Sequence, residues 1–195
     1  MAFEKCIDII KSAQKSNTSV FSVNCIDYNT IKGVIMAAEA VSTPVLVQLF
    51  PGHASEDAGS DLDLYTKPEA AKQFYEESGV DLLAIAIGNA HGFYKGIPHL
   101  DIDRLDAIHA ATPGLALVLH GGSGIPDDQL EVAFSRGINK FNYGTNYLWT
   151  YYKALAAFVK EHEKEDYADV LDMSIPAQAA LTEHMKERFH LCHFA

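Results

Sequence analysis

The residues from Leu115 to Gly144, LALVLHGGSGIPDDQLEVAFSRGINKFNYG, spell out one unit of an α/β design. LALVLH is a continuous apolar run of the kind buried on both faces in parallel sheets. The glycine-rich GGSG follows. A helix is expected over Pro126–Arg136, with Asp127 and Asp128 in its first turn, where negative charge suits the helix dipole. Gly137 ends that helix and INKFNYG starts the next strand. A strand, a crossover helix and a second strand within about 30 residues make a βαβ unit.

The alternation continues outward. Upstream, LLAIAIG (82–88) reads as a buried strand, followed by a loop carrying His91 and a helix over Asp103–Ala111. Pro68, suited to a first helical turn, opens a helix to Ser78. VLVQLF (45–50) is another apolar strand. It follows a helix over Asp27–Val41 in which Ile31, Val34, Ile35 and Ala38 form one stripe. A short strand ends at Asn24, and a first helix over Phe3–Ser16 places Ile7, Ile10 and Ala13 on one face. Residues 51–67, PGHASEDAGSDLDLYTK, are loop-like and acidic, and from Tyr147 onward the chain reads as helical, with Pro176 separating two helices. Five apolar strands alternating with helices predict one α/β domain with a parallel sheet. A complete (β/α)₈ barrel takes about 250 residues. This chain has 195. It falls short of a complete barrel by about the amount that several missing β/α units would explain.

Composition narrows the function. The chain carries 26 Asp+Glu against 15 Lys+Arg, a net charge of -11. That field repels nucleic acid and anionic membrane, so neither is an expected partner. It also repels phosphorylated ligands at long range, so a phosphate site needs local compensation. Three distant cysteines, Cys6, Cys25 and Cys192, argue against a disulfide framework and fit a reducing, cytoplasmic setting. No apolar run reaches membrane-spanning length and the first residues lack a signal-peptide core.

The chemistry-bearing residues follow strands. His91 comes after LLAIAIGNA and His120 ends LALVLH. In parallel α/β folds the strand C-termini share one face, where ligands bind, so two imidazoles there could reach one metal. Zinc at a catalytic site takes three protein ligands, and this pattern supplies two. Gly121, Gly122, Ser123 and Gly124 let backbone N–H groups approach an anion at a helix N-terminus. Asn142, Tyr143, Gly144 and Thr145 repeat the arrangement one strand later. Paired phosphate loops after the last two strands recur in barrels.

The stretches YTKPEAAKQFYEESGVDLLAIAIGNAHGFYKG, HLDIDRLDAIHAAT, LALVLHGGSGIPDDQL and GINKFNYGTN, in this order and spacing, resemble the second half of class II fructose- and tagatose-bisphosphate aldolases. FSVNCIDYNTIKGVIMAAEAVSTPVLVQLFPG resembles that family's first two β/α units. The resemblance implies a zinc-dependent TIM-barrel enzyme that cleaves a ketose bisphosphate to dihydroxyacetone phosphate and an aldehyde, and runs the reverse condensation. It implies that His91 and His120 are two of three zinc ligands. Gly92, Gly121, Ser123, Gly144 and Thr145 match its substrate-phosphate positions, with Gly122 and Tyr143 in the same loops. Asn142 matches the asparagine near the reacting carbons, and Asn24 and Gln48 fall where strands one and two line the pocket.

The match breaks between Ala54 and Ser55. There the family carries three further β/α units, roughly 80 to 90 residues at about 30 per unit. The resemblance therefore implies an α/β fold that is TIM-barrel-derived, a partial parallel (β/α) barrel with five core strands and a gap or strained contact between the second and third. The lost units hold a histidine-x-aspartate-histidine motif, which supplies the third zinc ligand and the aspartate acting on the substrate hydroxyl. No HxDH occurs in this sequence. Glu56 matches the family's proton-abstracting loop glutamate, and His53 stands where it could replace a ligand if the second and third strands became neighbours. The organisation expected is two β/α units over 1–54, an acidic junction loop over 55–67, three units over 68–146 and C-terminal helices over 147–195. Two functions follow from the resemblance: an impaired zinc-dependent aldolase, or a non-catalytic remnant that binds metal, sugar phosphate or a full-length partner. A homo-oligomer is compatible with both.

Overall fold

Ser22 and Asn24 alternate with Phe21, Val23 and Cys25 along β1 (Val20–Cys25), and this period-two pattern sorts the chain into two environments. Phe21, Val23 and Cys25 are fully buried in a core shared with the helices. Val20, Ser22 and Asn24 turn to the opposite, inner face. The structure, a computed structural model, describes residues 4–49, 65–90, 92, 94, 96–165 and 170–194. The other strands are β2 (Val45–Leu49), β3 (Leu82–Ile85), β4 (Ala116–Leu119) and β5 (Ile138–Tyr143).

All four strand pairings are parallel, and the sheet order is β2-β1-β5-β4-β3. The register runs Asn24↔Gln48 between β1 and β2, and Val20↔Lys140 to Val23↔Tyr143 between β1 and β5. The last strand therefore pairs with the first, as in a closing barrel. β2 and β3 are the two edges of the sheet. Among the described residues no strand joins β2 to β3, which is the gap expected between the second and third strands.

The helices are α1 (Cys6–Lys15), α2 (Tyr28–Ala40), α3 (Pro68–Ser78), α4 (Ile102–Ala111), α5 (Asp127–Ser135), α6 (Thr145–Glu161) and α7 (Val170–Phe189). α1 behaves differently from the rest. Its Ile10 and Ala13 join Val20, Leu46 and Ala116 in a separate apolar cluster, which fills the inner face at the N-terminal ends of the strands. The polar inner residues lie beyond it, toward the C-terminal ends. On the outer face Phe21 meets Phe134, Phe141, Tyr143 and Phe189 edge-on, with ring centroids 6.4, 4.9, 5.6 and 5.6 Å apart.

α7 closes the outer layer against α2 and α6. At Gly33 a Cβ would come within 2.8 Å of Leu181 Cβ, so only glycine permits this approach of α2 to α7. Thr182 Oγ1 donates to Gly33 O at 3.2 Å. Pro176 does not separate two helices as the sequence suggested. It lies inside α7. Both Pro176 and Asp172, whose carbonyl its ring deprives of a donor, are exposed, so water can satisfy that carbonyl and the helix continues. The break between α6 and α7 falls after Glu161 instead. Cys6, Cys25 and Cys192 are all free thiols. Burial pushes Cys25 and Cys192 up to about 12, and no helix of the described residues is long and apolar enough to cross a membrane.

Candidate functional site at the C-terminal ends of the strands

Because side chains alternate across a strand, Ser22 and Asn24 from β1, Gln48 from β2, Lys140 and Asn142 from β5 and His120 just beyond β4 share the inner face. All but Asn24 are joined in one chain of hydrogen bonds. Ser22 Oγ donates to Gln48 Oε1. Lys140 Nζ donates to the same oxygen at 3.3 Å and to Asn142 Oδ1 at 2.5 Å. With its oxygen facing the ammonium, Asn142 turns its Nδ2 to the His120 ring, 2.9 Å from Nδ1 and 3.2 Å from Nε2. Lys140 therefore fixes which way the Asn142 amide points, and the amide in turn positions the imidazole. Burial lowers the Lys140 ammonium below its ordinary value, opposed by its electrostatic interaction with Cys6.

The loops above this cluster are tied together. Asn89 Nδ2 donates to His120 O at 3.2 Å, and Asn89 Oδ1 accepts from Ile87 N at 2.8 Å. Tyr94 O–H donates to Gly121 O at 2.9 Å and accepts from Ala90 N at 2.8 Å. Gly121 has φ 63° and Gly124 φ 103°, backbone that favours glycine. A Cβ at Gly122 would sit 1.9 Å from the Phe141 ring, so the loop lies directly on β5. Ser123 is buried, and its Oγ accepts from Asn146 N at 3.1 Å, in the first turn of α6. The loop after β4 thus touches the helix N-terminus that follows β5.

Gly144 caps α6 with no side-chain hydrogen bond. A Cβ there would meet Asn24 Nδ2 at 2.8 Å, which puts Asn24 beside the start of α6. Asn24 Oδ1 is buried with no hydrogen-bond partner among the described residues. A buried acceptor of this kind calls for a donor from elsewhere.

Of the residues singled out from sequence, Asn24, Gln48, His120, Gly121, Gly122, Ser123, Asn142, Gly144 and Thr145 gather at this end of the sheet. Gly92, with φ 84°, follows β3 on the same side. Tyr143 does not join them. It points to the outer layer, where its hydroxyl bonds His184 Nε2 at 2.8 Å and burial pushes its pKa up to about 12. His184 is half-buried there. His91, Glu56 and His53 lie outside the described residues. The sequence reading leaves out Lys140 and Ser22. The period-two alternation of INKFNY carries the missing signal, since whatever face takes Asn142 also takes Lys140.

Among the described residues no three His, Cys, Asp or Glu side chains gather to hold a metal ion. His120 is the one described imidazole at the site, and both its ring nitrogens face the Asn142 amide. The described residues alone do not make a three-ligand zinc site.

A parallel sheet with helices outside it, polar residues at its strand C-termini and two glycine loops above them define a TIM-barrel-like α/β protein. Its relatives are specific. The family model described as fructose-bisphosphate aldolase class-II matches residues 4–62 and 54–195. The chain belongs to that family. The two matched segments meet around 54–62, where the sequence reading placed a lost stretch of three units. A fructose-bisphosphate aldolase of Staphylococcus epidermidis is 32% identical over 197 residues, covering 95% of this chain and 65% of its own length. The chain thus spans just under two thirds of that relative. Among solved structures, the YdjI aldolase of Escherichia coli K12 superimposes with a TM-score of 0.79 at 22% identity, covering 96% of each chain. The fructose-bisphosphate aldolase of Campylobacter jejuni gives 0.77 at 15%, covering 95% of this chain and 93% of its own. At these identities the structural likeness speaks for the fold.

Proposed function

We propose that this chain binds a sugar phosphate of the dihydroxyacetone phosphate or ketose bisphosphate class, and that its aldol cleavage and condensation are impaired. The observation that carries the reading is the seat at the start of α6. Ser123 of the loop after β4 reaches Asn146 N, and Gly144 abuts Asn24, whose Oδ1 has no described partner. A phosphate seated there would gain backbone N–H donors and the positive end of the helix dipole. A ligand hydroxyl would supply the donor that Asn24 Oδ1 lacks. Lys140 would provide local positive charge against the net charge of -11.

The family is generally zinc-dependent. Zinc, when bound, polarises the ketose carbonyl, and by resemblance His91 and His120 would be two of its ligands. The third ligand and the aspartate that moves the hydroxyl proton belong to the missing units. A positioned acid/base group is typically worth about 10²–10⁴-fold in rate, so affinity should outlast turnover. A cytoplasmic setting and self-association fit the same reading.

The test is cleavage of fructose and tagatose bisphosphates with added zinc, beside a His91→Ala, His120→Ala double variant. Dihydroxyacetone phosphate is titrated in parallel. Saturable binding with turnover no higher than the double variant is expected. Thr145→Val should weaken binding by about 1–3 kcal/mol through loss of a hydroxyl donor. Robust zinc-dependent turnover that vanishes in the double variant would overturn the impairment. Absence of any binding would overturn the reading as a whole.

A further inference from the structure

The loop after β3 is tied to the glycine loop after β4 by two side chains, and both bond carbonyls. Asn89 Nδ2 donates to His120 O at 3.2 Å, and Tyr94 O–H donates to Gly121 O at 2.9 Å. These carbonyls belong to consecutive peptide units, and both units are trans. In a trans peptide the carbonyl and the N–H that follows it point in opposite directions. Holding the His120 and Gly121 carbonyls on the β3 side therefore turns the N–H groups of Gly121 and Gly122 the other way. Gly122 lies against Phe141 of β5, and Ser123 Oγ meets Asn146 N of α6. The side away from β3 is thus the side of β5 and the start of α6. Two successive N–H groups in a turn, here beside Gly121 at φ 63°, make an anion-binding concavity. Gly121, Gly144 and Thr145 each keep part of their surface exposed, so the seat is open to a ligand.

Both side chains are themselves held. The Tyr94 oxygen accepts from Ala90 N at 2.8 Å, and the ring lies against Gly124, where a Cβ would come within 3.2 Å of it. Burial pushes the Tyr94 pKa above its ordinary value, and the Ala90 N–H opposes that shift. The hydroxyl therefore keeps the proton it donates to Gly121 O. Asn89 is fixed by its Oδ1, which accepts from Ile87 N at 2.8 Å. We propose that Tyr94 and Asn89 are positioning residues for the phosphate seat, holding the His120 and Gly121 carbonyls on the β3 side so that the Gly121 and Gly122 N–H groups face the anion at the start of α6. They act through the loop backbone rather than by touching the ligand. Their role rests on the seat proposed above.

The probe is glycerol 3-phosphate, added to the full chain without zinc. Calorimetry gives its affinity, and proton–nitrogen NMR follows the backbone amides. Tyr94→Phe keeps the ring against Gly124 and removes only the hydroxyl. Asn89→Ala is the second variant and unties His120 O. In the native chain the ligand should shift the amides of Gly121, Gly122 and Thr145. In each variant affinity should fall about tenfold. At saturation the shifts of Gly121 and Gly122 should shrink while Thr145 keeps its own. Native affinity and native shifts in both variants would overturn the positioning role and leave the seat standing. A lowered urea midpoint with the Gly121 and Gly122 shifts intact would make the two side chains merely structural, and overturn the role as well. No saturable binding by the native chain would overturn the seat and the positioning role together.

Discussion

His184 shows what one buried titratable ring does to the molecule. It stacks on Tyr143, with centroids 5.8 Å apart, and accepts or donates at the Tyr143 hydroxyl. Burial lowers its pKa, Arg188 and Lys153 lower it further, and Glu187 opposes them. A base whose folded pKa lies below its unfolded value binds fewer protons in the native state. As pH falls from the ordinary imidazole value of about 6.5 toward that lower value, the unfolded chain takes up the proton first and stability falls. The contribution is whole above the ordinary value. His184→Gln keeps an acceptor for the Tyr143 hydroxyl and cannot titrate. Urea midpoints taken from about pH 7.5 to about pH 5.5 should therefore drop less in the variant than in the native chain, and parallel slopes would speak against this role. The same scale shows what the sequence could and could not reveal. His120, Asn142 and the glycine loops are legible because each follows an apolar strand. The bond from Lys140 to Asn142 is not, because a lysine within a strand reads as an exposed charge until the sheet shows which face it takes. The contact of His184 with Tyr143 is hidden for the matching reason: helix α7 gives no sign in sequence of which turn lies on Tyr143.

At the scale of elements, α2 is fixed at its start. Asp27 Oδ1 accepts from Thr30 N at 2.8 Å, while Thr30 Oγ1 accepts from Asp27 N at 3.1 Å, a reciprocal cap. Asp27 Oδ2 also accepts from Tyr151 O–H of α6 at 3.1 Å. Asn29 bonds that hydroxyl at 3.3 Å and takes a bond from Gln178 of α7 at 2.6 Å. One cap thus holds three helices together. Asp27→Ala should cost about 0.5–2 kcal/mol, at the upper end because the Tyr151 hydroxyl loses its acceptor as well. Asp27→Asn should recover most of it, and equal urea midpoints for both variants would count against the cap. Element order was the most legible property of the chain. Pro68–Ser78 is helical from end to end as read, because Pro68 opens it and Gly79, in the left-handed region at φ 64°, closes it. Pro176 misleads because its helix-breaking effect depends on whether the deprived carbonyl can reach water, which a sequence does not display.

For the whole molecule, the sheet is a barrel wall with two edge strands among the described residues. β1, β4 and β5 have a strand on each side, whereas β2 and β3 have one. Unpaired edge groups open more readily than those between neighbours. Native-state hydrogen exchange should therefore be slowest across Val20–Cys25, Ala116–Leu119 and Ile138–Tyr143. It should be faster across Val45–Leu49 and Leu82–Ile85. Protection in β2 and β3 equal to that in β5 would mean that the edges are covered. The gap was legible from length and from the spacing of strands. The pairing of β1 with β5 was not, since it joins residues as distant as Val20 and Lys140, and no local pattern marks so remote a partner.

That distant pairing has a consequence for how the chain is joined. In the sheet, β2 and β3 are not neighbours. Residues 4–49 are fastened to the rest sideways, through the β1–β5 ladder and through Gly33 of α2 against Leu181 and Thr182 of α7. The peptide link between β2 and α3 is then not what holds the halves in register. A gene cut there would yield two complementing fragments, one carrying Ser22, Asn24 and Gln48 and the other His120, Lys140 and Asn142. Neither fragment owns a complete ligand face. Recovery of sugar-phosphate binding on mixing would therefore report reassembly directly.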